Sequence, residues 1–153
     1  MTVDKELLEY LENMTEQEQE IIKNNRPVLS HFTKAEGCTV IDSDVVMKPM
    51  TMIDIMKQPR FVPLPDHTHN YMEIVYMGSG STTHVINKTT EITLAEDELL
   101  FLPQGTSHSV NSAGYRDIAI RFVILPEFLQ YPLSMLREDT VLRRFIEQAA
   151  EQK

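Results

Sequence analysis

Three histidines and a glutamate in this chain have the types and spacing of a metal-ligand set. His67-Thr-His69-Asn-Tyr71-Met-Glu73 is followed further on by Pro103-Gln-Gly105-Thr-Ser-His108. Imidazole and carboxylate donors together suit a divalent Zn, Fe, Mn or Ni ion rather than one that needs thiolates. Side chains alternate faces on an extended strand, so His67, His69 and Glu73 are expected on one face, with Tyr71 between them. His108 is expected to arrive from a second strand. The bland alternative is that the four are buried polar groups, bonded to each other, to water or to an organic ligand. For either purpose, ligand contacts are expected at His67, His69, Tyr71, Glu73 and His108.

Catalysis would require more than metal ligands. A metal enzyme needs an open coordination position and a group that moves protons or orients substrate. Tyr71 is one candidate, and Tyr76 and His84 are others if they face the same interior. No nucleophile elbow, phosphate loop or glycine-rich dinucleotide fingerprint occurs in the chain. His31 and His84 lack partners at informative spacing and read as surface or satisfied core residues. Met47, Met50, Met52, Met56, Met72 and Met77 read first as core filling, and second as an adaptable cavity lining. Glu16, Glu18 and Glu20 read as a solvated acidic face.

Short strands must position these side chains. Met47 to Met56, Tyr71 to Met77, Ser81 to Ile86, Thr89 to Leu94, Glu98 to Leu102 and Asp117 to Leu125 carry strand patterns. In the last of these, Ile118, Ile120, Phe122 and Ile124 share one face, and Ala119, Arg121, Val123 and Leu125 share the other. Asn87-Lys88 is the expected hairpin turn, with Lys where Gly is favoured. Many short strands joined by turn residues imply a sandwich or barrel.

Helices are expected at both ends. Asp4 can cap a first helix carrying Leu7, Leu8 and Leu11. Thr15-Glu-Gln-Glu18 has the spacing of a capping box before Ile21 and Ile22, and Asn24-Asn25-Arg26-Pro27 ends that helix. After the strands, Pro126 opens a short helix with Phe128 and Leu129, and Pro132 starts the next piece. Asp139 can cap a final helix whose apolar stripe includes Val141, Leu142, Phe145, Ile146 and Ala149. A helical arm is thus expected over 1–30, a barrel over 39–125 and a helical segment over 126–153.

The pattern HxHxxxExxxxxxG, met by His67, His69, Glu73 and Gly80, and PxGxxH, met by Pro103, Gly105 and His108, resemble the paired motifs of the cupin superfamily. The resemblance implies a mainly β, cupin-type double-sheet jelly-roll barrel. The wording around the motifs, from Arg60 through Tyr76, Glu96 to Pro103 and Arg116 to Phe128, resembles the N-terminal sensory domain of AraC-type transcription regulators. It covers roughly residues 47 to 150. Two positions depart from the superfamily pattern. Asp97 stands where a Gly usually opens the second motif, and Asp tolerates a left-handed turn. Ser112 stands where an Asn is often found, with Asn111 one residue earlier.

This resemblance implies a small-molecule effector and a homodimer, with Leu133, Leu136, Leu142, Phe145, Ile146 and Ala149 as candidate dimer residues. The competing place for that stripe is the outside of the same barrel. Fourteen basic and 23 acidic side chains give a net charge of −9, with no basic stripe. DNA contact is therefore expected only through a separate C-terminal helix-turn-helix domain, which this chain does not contain. The pattern stops inside a helix at Glu151-Gln-Lys153, which suggests a longer native protein. There is neither a long apolar run nor a secretory leader pattern, so no membrane association is expected. Cys38 is the single cysteine, consistent with a cytoplasmic setting. The expected function is ligand sensing and dimerisation in an AraC-family regulator, with no catalysis. The alternative is a standalone metal-dependent cupin enzyme acting on a small organic acid or sugar.

Overall fold

The computed structural model of the protein describes residues 4–25, 32–35, 37–138 and 140–151. Two helices lead into the strands. Helix α1 (Lys5–Glu12) starts where the Asp4 carboxylate accepts from the Glu6 backbone N–H at 2.8 Å. Helix α2 (Glu16–Asn24) starts with the expected reciprocal cap: Thr15 Oγ1 accepts from Glu18 N–H, and Glu18 Oε2 accepts from Thr15 N–H. Asn25 ends it in the left-handed conformation, at φ 51°. Arg26, Pro27 and His31 lie outside the described residues.

One acidic residue departs from its expected place. Glu18 is fully buried, not solvated. Arg60 Nε donates to its Oε1 at 2.6 Å, and Lys57 Nζ donates to its Oε2 at 2.9 Å. Lys57 Nζ also donates to the Leu11 and Asn13 carbonyls, and Arg60 Nη2 donates to that of Glu12. Two cations therefore satisfy both the open carbonyls after α1 and the buried carboxylate of α2. A single-helix pattern cannot reveal this, because both partners lie some forty residues further along the chain.

The strands form two sheets. The first contains β1 (Val40–Ile41), β3 (Leu64–His69), β8 (His108–Val110), β5 (Ser81–Ile86) and β6 (Thr90–Ala95), in that order. The second contains β2 (Ile53–Lys57), β9 (Ile118–Ile124), β4 (Met72–Ser79) and β7 (Leu99–Leu102), in that order. Val75, Met77, Leu102 and Ala119 of the second sheet pack with Leu94 and Ile86 of the first, so the two sheets share one interior. The strand expected over Met47 to Met56 is shorter. Helix α3 (Ser43–Val46), capped by Asp42, precedes it, a turn with Met50 at φ 62° occupies its start, and β2 begins only at Ile53. Pro49 removes an N–H that a strand would need there.

Three turns explain residues of the motifs. Gly80 joins β4 to β5 at φ 72°, and a Cβ there would lie 2.2 Å from Asp117 Oδ1. That same oxygen accepts from Ser81 N–H at 3.0 Å, so the close approach fixes the corner. Asp97 takes the left-handed conformation at φ 68°, and its carboxylate also accepts from Tyr76 OH at 2.6 Å. Asn87 and Lys88 both have positive φ in the β5–β6 hairpin, but Ile86 pairs with Thr90, so Thr89 joins the turn and β6 starts one residue later than expected.

The C-terminal segment packs on the outer face of the second sheet. A 3-10 turn (Pro126–Leu129) leads into α4 (Gln130–Met135) and then α5 (Val141–Glu151). Pro132 falls in the first turn of α4, where its missing N–H costs nothing. Thr140 Oγ1 accepts from Arg143 N–H at the start of α5. Asp139, the expected cap, lies outside the described residues. Ile146 and Ala149 are buried with Met72, Ile124 and Leu129, while Leu133, Leu136 and Phe145 pack around them. Leu142 is 47 % exposed. Among the described residues, no helix is long and apolar enough to cross a membrane.

Candidate metal and ligand site

The chain brings the site together by crossing between sheets. His67 and His69 lie on β3 in the first sheet. Asn70 and Tyr71 then carry the chain over, and Glu73 lies on β4 in the second sheet. The expectation of one strand for all three is therefore corrected: Glu73 meets the histidines from the opposite wall. His108, on β8, is the register partner of His67. Gly105 sets that pairing. It adopts φ 75°, and its N–H donates to the His69 carbonyl at 2.8 Å, drawing the loop before β8 against β3.

All of these side chains are buried. One donor atom each from His69, Glu73 and His108 lies within 4.8 Å of the others. His67 stands beside them, with its ring centroid 4.2 Å from that of His108. Tyr71 stacks on His69 at 4.6 Å. Two further residues complete the cluster. His84, on β5, is fully buried and its ring lies 6.1 Å from His108. Arg121, on β9, holds Nη1 3.6 Å from Glu73 Oε2. In the sequence His84 reads as surface or satisfied core, and as a site candidate only if it faces the interior, while Arg121 reads only as one face of a strand. The available signal for Arg121 was a lone charge within an apolar strand. Tyr76 lies on the opposite face of β4 from Glu73, bonded to Asp97, and is not part of the site.

Hydrogen bonds assign the imidazole tautomers. His69 Nδ1 lies 2.7 Å from the Tyr71 carbonyl, which can only accept, so Nδ1 carries the hydrogen. The lone pair is then on Nε2, which is buried and has no partner. His67 is oriented in the same way, by the Pro65 carbonyl at 2.8 Å. Fixing one ring nitrogen on a backbone carbonyl is how metal-binding histidines are commonly held. His108 Nδ1, His84 Nδ1, Tyr71 OH and Arg121 Nε are likewise buried without partners.

Burial keeps the imidazoles neutral. It pushes His67 and His69 down, takes His84 down to about 4, and takes His108 to about 2, where the neighbouring histidines add to the effect. Burial pushes the Tyr71 phenol up, with the Glu73 charge adding, so Tyr71 stays protonated. Neutral rings with free lone pairs, facing a carboxylate, are a donor set that fits a divalent ion. His69, Glu73 and His108 meet that geometry together, and His67 does not join their mutual 4.8 Å group.

A family model described as the AraC-like ligand binding domain matches residues 58–147, more than half of the chain. The chain belongs to that family. The AraC-like domain spans all of the site residues and most of the C-terminal segment that packs on the barrel. Comparison with curated proteins finds no match. Several solved structures are similar. DMSP lyase DddQ from Ruegeria pomeroyi DSS-3 is 18% identical, with TM-score 0.40, over 47% of this chain and 36% of the lyase. KdgF from a Halomonas species is 18% identical, with TM-score 0.42, over 52% of this chain and 74% of that one. A cupin superfamily protein from Desulfitobacterium hafniense DCB-2 is 9% identical, with TM-score 0.40, over 54% of this chain and 86% of that one. The fold of the AraC-like domain is mainly β, with two facing sheets and helices at both ends.

Proposed function

We propose that this chain is the small-molecule-sensing and dimerisation domain of an AraC-like transcription regulator. One observation carries the reading: buried polar atoms without partners converge inside a domain of a ligand-binding family. A buried polar group without a partner costs free energy, and a ligand that satisfies it recovers that cost as binding. His67, His69, Tyr71, Glu73 and His108 are the proposed contacts, with His84 and Arg121 added by their geometry. His69, Glu73 and His108 would hold a divalent Zn, Ni, Fe or Mn ion, which when bound would polarise a ligand oxygen as a Lewis acid.

Sensing requires unequal affinity for two arrangements of the molecule. The helices on the outer face of the second sheet are the proposed element that a second copy reads. Their attached DNA-binding domain would lie outside this chain. The net charge of −9 opposes phosphate binding by this domain itself. A metal-dependent cupin enzyme is the second reading. It is favoured by the two-histidine, one-carboxylate set, which leaves coordination positions for a substrate.

The test combines metal content with ligand-induced stabilisation. Plasma mass spectrometry should find a divalent ion near one per chain in the native protein, and less than a tenth as much in His69→Ala/His108→Ala. A thermal-shift screen against fractionated metabolites should find a fraction that stabilises the native protein and not the variant. Turnover of that fraction would favour the enzyme. Absence of any stabilising fraction, with or without added metal, would overturn the sensing reading.

A further inference from the structure

A cavity of about 340 Å³ lies between α2, α3 and β2, and Arg121, the ion-pair partner of Glu73, forms part of its wall. Its apolar lining includes Phe32, Val46, Ile55 and Met56. Of the other charged groups in the wall, Lys48 is exposed to solvent, and Lys57 and Asp54 are committed. Lys57 Nζ is held by Glu18 and two carbonyls, and the Asp54 carboxylate accepts from the backbone N–H groups of Lys48 and Ile55. Arg121 differs. It is 5 % exposed, its Nε has no partner, and its nearest carboxylate, Glu73, stands at 3.6 Å, beyond hydrogen-bond reach. A guanidinium offers five N–H donors in a planar fork and cannot shed its charge. Burying it with donors unused is costly unless an acceptor arrives from the cavity.

We propose that this cavity is a carboxylate-binding subsite, in which Arg121 grips the acid group of a small aliphatic acid and the apolar wall takes its chain. The proposal rests on the ligand-sensing reading and names the class of ligand. A carboxylate presents two oxygens in one plane, which matches the guanidinium fork. A neutral sugar hydroxyl would be a weaker acceptor for the unpartnered Nε–H than a carboxylate. A phosphate would waste the apolar wall. The volume is at the small end for organic ligands, which suits a short chain.

Titration calorimetry on the native protein with butanoate, hexanoate and octanoate, with hexanamide and inorganic phosphate as controls, tests this. Hexanoate should bind at least about ten-fold more tightly than hexanamide, in line with a charge-assisted bond, and phosphate should not bind. Arg121→Gln should weaken hexanoate at least about ten-fold and leave hexanamide unchanged. Because that change leaves Glu73 without its cation, Val45→Glu serves as the second variant. Val45 lines the same cavity and is 39 % exposed, so a carboxylate there should weaken hexanoate alone without unfolding the chain. Equal affinity for acid and amide in the native protein overturns the subsite. So does full hexanoate affinity in a folded Arg121→Gln, or in Val45→Glu should Arg121→Gln not fold. If none of the acids binds, the subsite falls. A neutral metabolite fraction that stabilises the protein would then leave the sensing reading standing.

Discussion

Each buried imidazole is held in the form that can donate a lone pair, and that has a price in acid. The ordinary histidine value is 6.5, while His84 lies at about 4 and His108 at about 2 in the folded chain. The unfolded chain therefore takes up protons below pH 6.5 that the folded chain refuses. Stability is complete above that pH and falls as pH drops from 6.5 towards 4, with His108 extending the loss further. Urea unfolding should lose about 2 kcal/mol for each of His84 and His108 between pH 7.5 and 5. His84→Asn should show a shallower slope, and parallel profiles would contradict the assignment. Gly80 makes a second residue-scale case. Gly80→Ala should cost more than about 2 kcal/mol, because its Cβ would collide with Asp117 while the backbone sits at positive φ. A chemical-denaturation midpoint unchanged from the native protein would remove that account of the motif glycine. At this scale the sequence was legible wherever a residue type announced its chemistry: His67, His69, Glu73 and His108 stood out, and Asp97 was readable as a left-handed residue. Arg121 and His84 were not, because what makes each notable is the wall it faces.

Elements were less legible than residues. Periodicity located the strands carrying Glu73, His84 and Arg121, but it did not set out β3, and the face argument treated His67 to Glu73 as one extended strand. No Gly or Pro marks Asn70 and Tyr71 as the crossing between sheets, and the even spacing of His67, His69 and Glu73 fits one strand as well as two. The acidic face assigned to Glu18 failed for a related reason, because burial there is imposed by cations on the barrel. That latch is the element-scale prediction. Burial alone would raise the Glu18 pKa, but hydrogen bonds from Arg60, the Thr15 N–H and Lys57 prevail and lower it from 4.5 to about 2. Its contribution is therefore complete above pH 4.5 and lost as pH falls from there towards 2. Glu18→Gln should cost about 3 kcal/mol at neutral pH, because Arg60 is left buried with its charge unbalanced. Hydrogen exchange should speed up first in α1 and α2, which the latch ties to the barrel. Uniform acceleration across the strands would show that the helices are not a separate unit.

Two copies of this molecule, each at −9, repel one another. Any association must therefore be driven by apolar contact and opposed by charge. Much of the C-terminal stripe is already spent: Ile146 and Ala149 are buried against the barrel of their own chain. What is left exposed is a patch of Phe101 at 36 %, Val141 at 76 % and Leu142 at 47 %, beside Phe145. The proposed dimer must use this remainder rather than the whole stripe first assigned to it. Leu142→Glu is the discriminating change. It removes apolar area from the contact and adds a charge of the repelling sign, while costing the folded monomer no more than about 0.5 kcal/mol, because the position is half exposed. Sedimentation of the native domain should give a dimer that tightens as salt screens the repulsion. The variant should sediment as a monomer with nearly unchanged thermal stability. A native chain that stays monomeric at every salt concentration would remove dimerisation from the proposal. A Leu142→Glu dimer would move the contact to another face.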